Sequence, residues 1–508
     1  MKRLTRRGDD GKGFHQVGMS LRINRRQFLT RSALALSTAA VARHRTLAEI
    51  DPVAIRKFAA QIKGRTILPR DAGYESSIQF WDGRVLKRPR LVVRPANSAD
   101  VSSAIKFARE HRIPLAIRCG AHTRNSNCDD GLLINLSDLK SISIDKSRRV
   151  ARVDAGLLVG DVDKATAAHG LATVLGECPS VGISGLALGG GLGRLSGQYG
   201  ALCDNLISAE IVTSEGRVVN VNRNENPDLF WAIRGGGGNF GVATNFEFQL
   251  HPAPRMLAGM LRFPMSQAKT VLRFFRDYMQ TAPPELDALI EIGRSILQYA
   301  ADAQAPTVVI SVSCGGDLKA AERALQPLRT FVKPANDSIR VMSYLEAQGL
   351  GNVAPLIRHS RSGFTGYNRS GFVSNLTDGA LDVILAHASH PLVSAWSIAL
   401  DHFMHGAVLE VPESDLAFSL RRSGCCVRAT AFQPGTGSPE KAITWARALQ
   451  SDLQPMSGGR LYLNYLTDQG DEGVRAAYGS NYAELARLKR KYDPENVFRL
   501  NQNINEEG

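Results

Sequence analysis

Short apolar runs alternate with glycine turns and amphipathic segments over the first half of the chain. β-Strands are predicted for the apolar runs at 91–93, 114–118, 132–136, 150–154 and 211–221, the last of them broken by a turn at 215–216. Ser98 and Asp100 begin a predicted helix, because apolar residues at 101, 104, 105 and 108 recur on one helical face. Asn226 and Pro227 suit the start of a second helix, which Gly235 ends. This pattern predicts mixed α/β structure up to the prolines at 252 and 254.

The pattern changes over residues 255–455. Strands are predicted at 307–314 and 407–411, and a helix at 377–387. The last fifty residues contain a strand-like run at 460–465 and a helix at 481–491, which stops near Asp493-Pro494. We therefore expect a second α+β domain followed by a short C-terminal segment.

Composition narrows the class of protein. The chain has 508 residues, of which 44% are hydrophobic and 22% charged, as is ordinary for soluble globular proteins. A disordered, fibrous or small disulfide-bonded protein is excluded as the main class, and no run of 18 apolar residues predicts a transmembrane helix. Residues 1–48 contribute +9 of the net charge of +14, so a basic body that binds nucleic acid is not favoured.

The N-terminal segment resembles an export signal. Arg25-Arg26 precede Phe28-Leu29, and a weakly apolar run at 32–42 ends in small residues. This arrangement resembles a twin-arginine signal and predicts an exported, periplasmic or secreted protein. The alternative is an amphipathic or disordered basic tail. The start at Met1 or Met19, and cleavage after Ala42 or Ala48, stay open. Because twin-arginine export serves many proteins that load a cofactor before export, this segment predicts a cofactor site elsewhere in the chain.

Three glycine-rich segments follow one another, at 118–122, at 182–193 and at 235–241. Glycines let backbone N–H groups approach phosphates closely. A nicotinamide-type G-x-G-x-x-G motif is rejected, because Ser196 stands where its third glycine would be. The three segments together indicate a long, phosphate-bearing cofactor.

Several motifs give the chain a family resemblance. They are Arg118–His122, Gly176–Gly182, Leu188–Leu192, Asp228–Gly241, Tyr462–Tyr465 and Asp493–Arg499. These segments resemble the berberine-bridge-enzyme-like flavin oxidases, which have an FAD-binding domain of the vanillyl-alcohol-oxidase (PCMH) type. The resemblance covers about residues 75–252 and 455–505.

The resemblance implies an α+β fold. It combines a PCMH-type FAD-binding domain of two α/β subdomains with a substrate domain whose antiparallel sheet is flanked by helices. We accordingly divide the chain into the signal segment 1–48, the FAD-binding domain 49–252, the substrate domain 253–455 and a C-terminal segment 456–508 that returns to the FAD-binding domain.

The resemblance also implies covalent FAD. By family position, His122 bonds to the flavin 8α-methyl group and Cys178 to flavin carbon 6. The family usually has two glycines before the histidine, whereas this chain has Gly120-Ala121, so a left-handed backbone at Ala121 would be less comfortable. Further residues assigned to cofactor binding are Arg118, Cys119, Gly120, Ala121, Thr123, Gly182, Ile183, Ser184, Gly185, Leu186, Gly190, Gly191, Leu192, Val242, Tyr462 and Asn464.

Catalysis needs a base for the substrate hydroxyl proton. By family position the candidate is Tyr465, which needs a nearby cation or hydrogen bond because a free phenol has a pKa near 10. On a strand, a bulge or strand end would be required to bring Tyr462, Asn464 and Tyr465 together. Ile183 occupies the position thought to gate oxygen in the family. Substrate contacts are guessed at Tyr367, Arg369 and Arg421.

The remaining cysteines and the paired histidines carry weaker signals. Six cysteines besides Cys178 leave disulfide pairing open, and Cys425-Cys426 fits a strand pair. The histidine pairs 387/390 and 402/405 lack supporting acids or thiols, so no metal site is predicted.

The leading interpretation is an exported FAD-dependent oxidoreductase. It would take a hydride from a C–OH carbon of a sugar, alcohol or secondary metabolite and pass the electrons to O2, giving H2O2. The partners expected are this small-molecule substrate, O2 and the twin-arginine export machinery, with no nucleic acid and no membrane after signal cleavage. Alternatives are a dehydrogenase with a quinone or protein acceptor, an oxidative ring-forming enzyme, and a catalytically silent flavin-binding or periplasmic binding protein.

Overall fold

The fold is seen in a computed structural model that describes residues 50–80, 85–294, 305–350, 364–401, 403–434 and 438–505. All of the described residues belong to one compact unit. The export signal predicted at 1–48 lies outside the described residues. Among the described residues, no helix is both long and apolar enough to cross a membrane.

The first sheet has four strands in the order β1-β2-β4-β3. They are β1 (Arg65–Ile67), β2 (Leu91–Arg94), β3 (Leu115–Arg118) and β4 (Leu132–Asn135). Strands β2, β4 and β3 are parallel, and their nearly continuous apolar sequences are buried, as expected for parallel strands covered on both faces. The accompanying helices are α1 (Pro52–Ala59), α2 (Tyr74–Ile78) and α3 (Ser98–Glu110). The Asn97 side chain caps α3 by accepting a hydrogen bond from the Asp100 N–H at 3.1 Å.

The second sheet has five antiparallel strands in the order β5-β6-β10-β8-β9. They are β5 (Ile142–Asp145), β6 (Val150–Asp154), β8 (Leu206–Val212), β9 (Val218–Asn222) and β10 (Val242–Gln249). A short pair is formed by β7 (Leu171–Ala172) and β11 (His251–Pro252). The helices of this part are α4 (Val159–Ala167), α5 (Ile183–Leu188), α6 (Ser196–Tyr199) and α7 (Pro227–Ile233).

The third sheet is antiparallel and has eight strands. Seven follow the order β15-β12-β14-β13-β18-β19-β17, and β16 pairs with β12. They are β12 (Arg255–Pro264), β13 (Leu286–Arg294), β14 (Thr307–Gly315), β15 (Asn336–Asp337), β16 (Arg340–Ser343), β17 (Phe364–Val373), β18 (Ala395–Asp401) and β19 (Cys425–Pro434).

Helices pack on one face of this eight-stranded sheet. They are α8 (Ala268–Met279), α9 (Leu318–Thr330), α11 (Asp378–Ser389) and α13 (Glu440–Leu453). Two shorter helices, α10 (Tyr344–Gln348) and α12 (Ala407–Glu410), belong to other apolar clusters. Trp396, Ile398 and Leu400 of β18 point into the apolar core beneath the helices. Since strand side chains alternate, Asp401 points to the opposite face, which we call the site face.

The C-terminal segment returns to the first two sheets. It comprises a 3₁₀ turn at Leu463–Tyr465, α14 (Gly470–Tyr478) and α15 (Tyr482–Tyr492). Leu463, Tyr478 and Leu485 join the same apolar core as β2 and β10. The expected α+β fold is therefore confirmed.

Two strand predictions are wrong. Residues 407–411 contain the short helix α12 rather than a strand, and 460–465 ends in the 3₁₀ turn. Both segments are short apolar runs, for which periodicity does not separate strand from helix. The other strands and helices predicted above are found within a few residues of their expected bounds. The predicted break at 215–216 separates the strands Leu206–Val212 and Val218–Asn222, the first of which begins five residues earlier than expected.

Candidate active site

Two glycine-rich loops are pressed against each other at the centre of the candidate site. The first follows β3 and contains Gly120, and the second leads into α5 and contains Gly182. A Cβ atom on Gly120 would overlap the Gly182 backbone nitrogen, and one on Gly182 would overlap that of Gly120 and lie 2.8 Å from Cys119 Cβ. Both positions therefore need glycine because the loops touch each other, a reason beyond the close approach of a phosphate.

His122 and Cys178 are brought to one serine hydroxyl by this contact between loops. Ser180 Oγ lies 3.0 Å from His122 Nε2 and 3.3 Å from Cys178 Sγ. All three side chains are partly buried. The two residues expected to attach the flavin thus share a polar neighbour, although they are far apart in sequence. No role was predicted for Ser180.

The expected strain at Ala121 is present. Its φ is 57°, in the left-handed region that residues with a Cβ avoid at a cost of roughly 1–2 kcal/mol. Ala121 is buried, and the strained backbone directly precedes His122. Strain of this kind persists only where the surrounding structure enforces the conformation.

Arg118 lies at the end of β3 and is buried. Burial lowers its pKa to about 10. One guanidinium nitrogen, Nη2, donates to the Gln79 carbonyl, whereas Nη1 has no hydrogen-bond partner among the described residues. An unpartnered buried guanidinium N–H fits an anionic group such as a cofactor phosphate. Thr123 is exposed, and Cys119 Sγ faces the Leu157 carbonyl at 3.5 Å.

The second loop and α5 contain both buried and exposed residues. Ile183 and Ser184 are buried, whereas Gly185 is exposed, and a Cβ there would meet nothing within 4 Å. Gly190 and Gly191 have φ values of 111° and 80°, which glycine adopts readily. Val242, at the start of β10, is buried.

Tyr462 and Asn464 connect the C-terminal segment to α5 and the loop after it. The Asn464 Nδ2 group donates to the Leu186 carbonyl at 3.2 Å and to Tyr462 Oη at 3.1 Å. Tyr462 Oη also accepts a hydrogen bond from the Leu192 N–H at 3.1 Å. The 3₁₀ turn, and not a strand bulge, places these side chains beside Tyr465, whose ring centroid is 5.0 Å from that of Tyr462.

Tyr465 contacts the site face of the eight-stranded sheet. Its hydroxyl donates to Asp401 Oδ2 at 3.4 Å, and its carbonyl accepts from Ser370 Oγ at 3.2 Å. Arg428 Nη2 lies 2.8 Å from the same Asp401 oxygen, and its guanidinium lies 5.5 Å from the Tyr465 ring centroid. Asp401 Oδ1 and Thr430 Oγ1 are buried without hydrogen-bond partners among the described residues.

The charges around Tyr465 set its protonation. Burial raises the pKa of the Tyr465 phenol well above its usual value, and the neighbouring Asp401 carboxylate raises it further. Burial alone lowers the pKa of Arg428, but Asp401 outweighs this and the net pKa is raised. Tyr465 is therefore a neutral phenol beside the buried Asp401 carboxylate, which is paired with the partly exposed Arg428.

Asp401, Arg428 and Thr430 were missed by the sequence analysis. A polar residue closing the apolar run 395–400 was the one available signal for Asp401. Only the strand register places Asp401 and Arg428 in adjacent strands on the same face.

The three residues guessed as substrate contacts form hydrogen bonds or ion pairs with other residues of the fold. Tyr367 belongs to the helix-covered core, and its hydroxyl donates to Asp468 at 2.8 Å. Arg369 pairs with the same carboxylate at 2.6 Å. Arg421 is buried in an ion pair with Asp204, whose Oδ2 lies 2.8 Å from Arg421 Nη1. These interactions account for the three residues as parts of the fold.

The cysteines are reduced, and those of the paired histidines that the structure describes contact acidic or carbonyl groups. All seven cysteines lie within the described residues and are free thiols. His387 pairs with Asp452, and His405 faces the Phe403 and Leu286 carbonyls. No cluster of three or more metal-ligating side chains occurs in the described parts of the chain, and His402 lies outside them.

Comparison with known proteins places the chain in a family. The family description "FAD binding domain" matches residues 89–222, and "Berberine and berberine like" matches residues 461–505. An FAD-linked oxidoreductase of Dictyostelium discoideum is 31% identical, with 89% of this chain and 96% of that protein covered. The (R)-6-hydroxynicotine oxidase of Paenarthrobacter nicotinovorans is 33% identical, with 88% and 98% covered.

Solved structures agree with this placement. The crystal structure of 6-hydroxy-D-nicotine oxidase from Arthrobacter nicotinovorans has a TM-score of 0.78 and 31% identity, covering 88% of this chain and 98% of that one. A chitooligosaccharide oxidase has a TM-score of 0.77 at 24% identity, covering 90% and 100%, and shares the fold. The chain belongs to the berberine and berberine-like family of FAD-linked oxidoreductases, and its cofactor is FAD.

Proposed function

We propose that this protein is an oxidase that removes a hydride from a carbon bearing a hydroxyl group and passes the electrons through covalently bound FAD to O2, giving H2O2. The substrate class is a sugar, an alcohol or a secondary metabolite. The observation that carries the proposal is the turn at Tyr462–Tyr465. It contacts α5 through Asn464 and the Asp401–Arg428 pair through Tyr465, and so joins the cofactor loops to the site face.

Several residues would hold FAD. Arg118 has an N–H group without a partner among the described residues that could bind a phosphate, and Gly185 is exposed, with nothing within 4 Å of an added Cβ. Gly190 and Gly191 are buried, and their positive φ values shape the loop that follows α5. When bound, FAD supplies a hydride acceptor. We propose covalent attachment through His122 and Cys178. Support comes from the shared contact of both with Ser180 and from a glucooligosaccharide oxidase of Acremonium strictum, described as having a 6-S-cysteinyl, 8α-N1-histidyl FAD.

Tyr465 and Asp401 would manage the proton. Tyr465 accepts the proton of the substrate hydroxyl while its own proton moves along the existing hydrogen bond to Asp401 Oδ2. Arg428 holds Asp401 in place and balances its charge. Because the phenol is neutral, the carboxylate is the final proton acceptor in this proposal.

A second substrate class is an amine. The observation that favours it is the buried Asp401 Oδ1, which has no hydrogen-bond partner among the described residues and could accept from an ammonium group. The 33% identical relative is named an oxidase of 6-hydroxynicotine, which contains an amine.

The electron acceptor and the location of the protein complete the proposal. Ile183 is buried at the start of α5, at the position assigned to oxygen gating. We propose O2 as acceptor, with a quinone or a protein acceptor as the competing reading. The twin-arginine segment supports export in folded, FAD-loaded form.

The first test is denaturation of the purified protein in acid. A washed pellet that stays yellow and fluoresces in a gel is expected. The variant His122→Ala/Cys178→Ala should release all of its flavin, and flavin retained by it would contradict the site assignment.

The second test is a screen of sugars, alcohols and amines for anaerobic flavin reduction. Reoxidation within seconds in aerated buffer supports an oxidase, and reduced flavin persisting for minutes supports a dehydrogenase. A flavin that no compound reduces would favour the silent binding protein.

A further inference from the structure

Ser180 stands between the two side chains proposed to attach FAD. Its Oγ atom is 3.0 Å from His122 Nε2 and 3.3 Å from Cys178 Sγ. A serine hydroxyl has one donor hydrogen and two acceptor lone pairs. It can therefore accept the Cys178 thiol hydrogen while donating its own hydrogen to the imidazole nitrogen.

The position of this hydroxyl is enforced by the backbone. The Pro179 and Val181 carbonyls accept hydrogen bonds from the Gly160 and Val159 N–H groups at 3.0 and 2.9 Å. The Val181 N–H donates to the Cys178 carbonyl at 3.1 Å, which closes a turn around Ser180. A Cβ atom on Gly120 would lie 2.9 Å from the Ser180 carbonyl, so the first loop packs directly on this turn. Ser180 is thus held between the two nucleophiles by both loops.

We propose that Ser180 is a positioning residue for covalent attachment and carries the Cys178 thiol proton to His122 Nε2. The proposal rests on the covalent attachment put forward above. A thiolate is the reactive form of cysteine, so the relay would speed formation of the bond from Cys178 Sγ. The bond from His122 does not need the thiol proton to move and depends less on Ser180.

The chemistry balances with O2 as oxidant. The new S–C bond at flavin carbon 6 replaces the thiol S–H bond and one flavin C–H bond. The two hydrogens removed, with their two electrons, reduce one O2 to H2O2. The thiol proton leaves through Ser180 and His122, and the partly exposed imidazole can pass it to solvent.

The test compares three serine variants. Ser180→Ala removes the hydroxyl, Ser180→Thr keeps it, and Ser126→Ala removes a neighbouring hydroxyl that bonds to the Thr123 carbonyl and touches neither nucleophile. Each protein, purified with its flavin, is denatured, alkylated with iodoacetamide and digested. Mass spectrometry then reports two quantities: flavin-bearing His122 peptide, and Cys178 that is alkylated or cross-linked through flavin to the His122 peptide.

The wild type, Ser180→Thr and Ser126→Ala should give the cross-linked peptide. Ser180→Ala should keep the His122–flavin peptide and leave most of Cys178 alkylated, because loss of a proton-transfer group slows a step by about 10²- to 10⁴-fold. In a His122→Ala background, where the acceptor is missing, the readout is the flavin-bearing Cys178 peptide, and Ser180→Ala should cause no further loss of it.

Several outcomes would overturn the inference. One is a Ser180→Ala protein in which Cys178 is cross-linked to the same extent as in the wild type. Another is loss of both bonds in Ser180→Ala and in Ser180→Thr alike, which would indicate a role limited to the shape of the loop. A wild-type protein with no flavin peptide would contradict the covalent attachment itself, and so separates failure of the proposed function from failure of the role of Ser180.

Discussion

The two sides of the candidate site are built by different physical means. On the cofactor side, backbones approach so closely at Gly120 and Gly182 that a Cβ at either position would overlap the other loop. On the site face of the eight-stranded sheet, Asp401, Arg428 and Tyr465 are arranged by charge and hydrogen bonding. At Gly120 and Gly182 the first side has no room for an added atom, whereas the second depends on charges and hydroxyl groups. This contrast predicts that substitutions on the two sides will fail in different ways.

The largest effect is expected on the site face. Tyr465→Phe removes the hydroxyl and Asp401→Asn the proton acceptor, and either should slow anaerobic flavin reduction by about 10²- to 10⁴-fold. Covalent flavin content should be unchanged, because neither residue belongs to the two loops. Stopped-flow absorbance with a substrate from the screen measures the rate. If both variants reduced flavin as fast as the wild type, the site face would have no part in proton transfer.

The next effect concerns a buried carboxyl where α4 meets α10. Asp163 accepts a hydrogen bond from Gln348 at 3.1 Å, and burial raises its pKa to about 7. Between about pH 4 and pH 7 the Asp163 carboxyl is protonated in the folded protein and ionised in the unfolded chain. The contribution of this group to stability is therefore greatest below pH 4 and falls as the pH rises to about 7. The loss amounts to about 4 kcal/mol for this group, at 1.36 kcal/mol per pKa unit.

Asp163→Asn should remove this part of the pH dependence. Urea unfolding from pH 5 to pH 8 should show a flatter profile for the variant, with the variant more stable than the wild type at pH 8. Asp154→Asn is a matched control, since Asp154 is only partly buried. Parallel pH profiles for Asp163→Asn and the wild type would show that Asp163 is ionised in the folded protein.

A smaller loss is expected from the cofactor side. Gly182→Ala forces a methyl group into the Gly120 backbone and should destabilise the protein by about 3 kcal/mol, with loss of flavin. Gly379→Ala is the matched control outside both loops, because a Cβ there would meet only Thr377 Oγ1, at 3.7 Å. Its free energy of unfolding should stay within about 0.5 kcal/mol of the wild type. Equal stability of the two variants would contradict the close packing of the loops.

The smallest effect is expected for Ile183→Val. Loss of one buried methyl group should cost about 1 kcal/mol of stability, while reoxidation of reduced flavin by O2 becomes faster. Mixing the reduced protein with aerated buffer measures the reoxidation rate. A slower or unchanged rate would argue against gating by Ile183 and would leave the site face as the next region to test.

Prediction from sequence succeeded where local rules dominate. Leu91–Arg94 and Leu132–Asn135 are short buried apolar strands, and the Asn97–Asp100 segment begins a helix as its polar residues predict. Prediction failed at 407–411 and 460–465, where neighbouring parts of the fold decide the conformation of short apolar runs. The 3₁₀ turn at Leu463–Tyr465 satisfies a requirement that a straight strand could not, because it brings Tyr462, Asn464 and Tyr465 together.

By itself, the sequence determined the class of fold, the family, the FAD cofactor and the glycines on which the loops depend, because these follow from local patterns and motifs. Position 182 requires glycine because a Cβ there would overlap the facing loop, and at position 121 the Cβ of alanine makes the left-handed backbone unfavourable. Only the tertiary structure decided that Ser180 lies between His122 and Cys178 and that Asp401 faces Tyr465. These contacts depend on loop packing and on strand register, and a shift of one residue in register would turn Asp401 to the opposite face of the sheet.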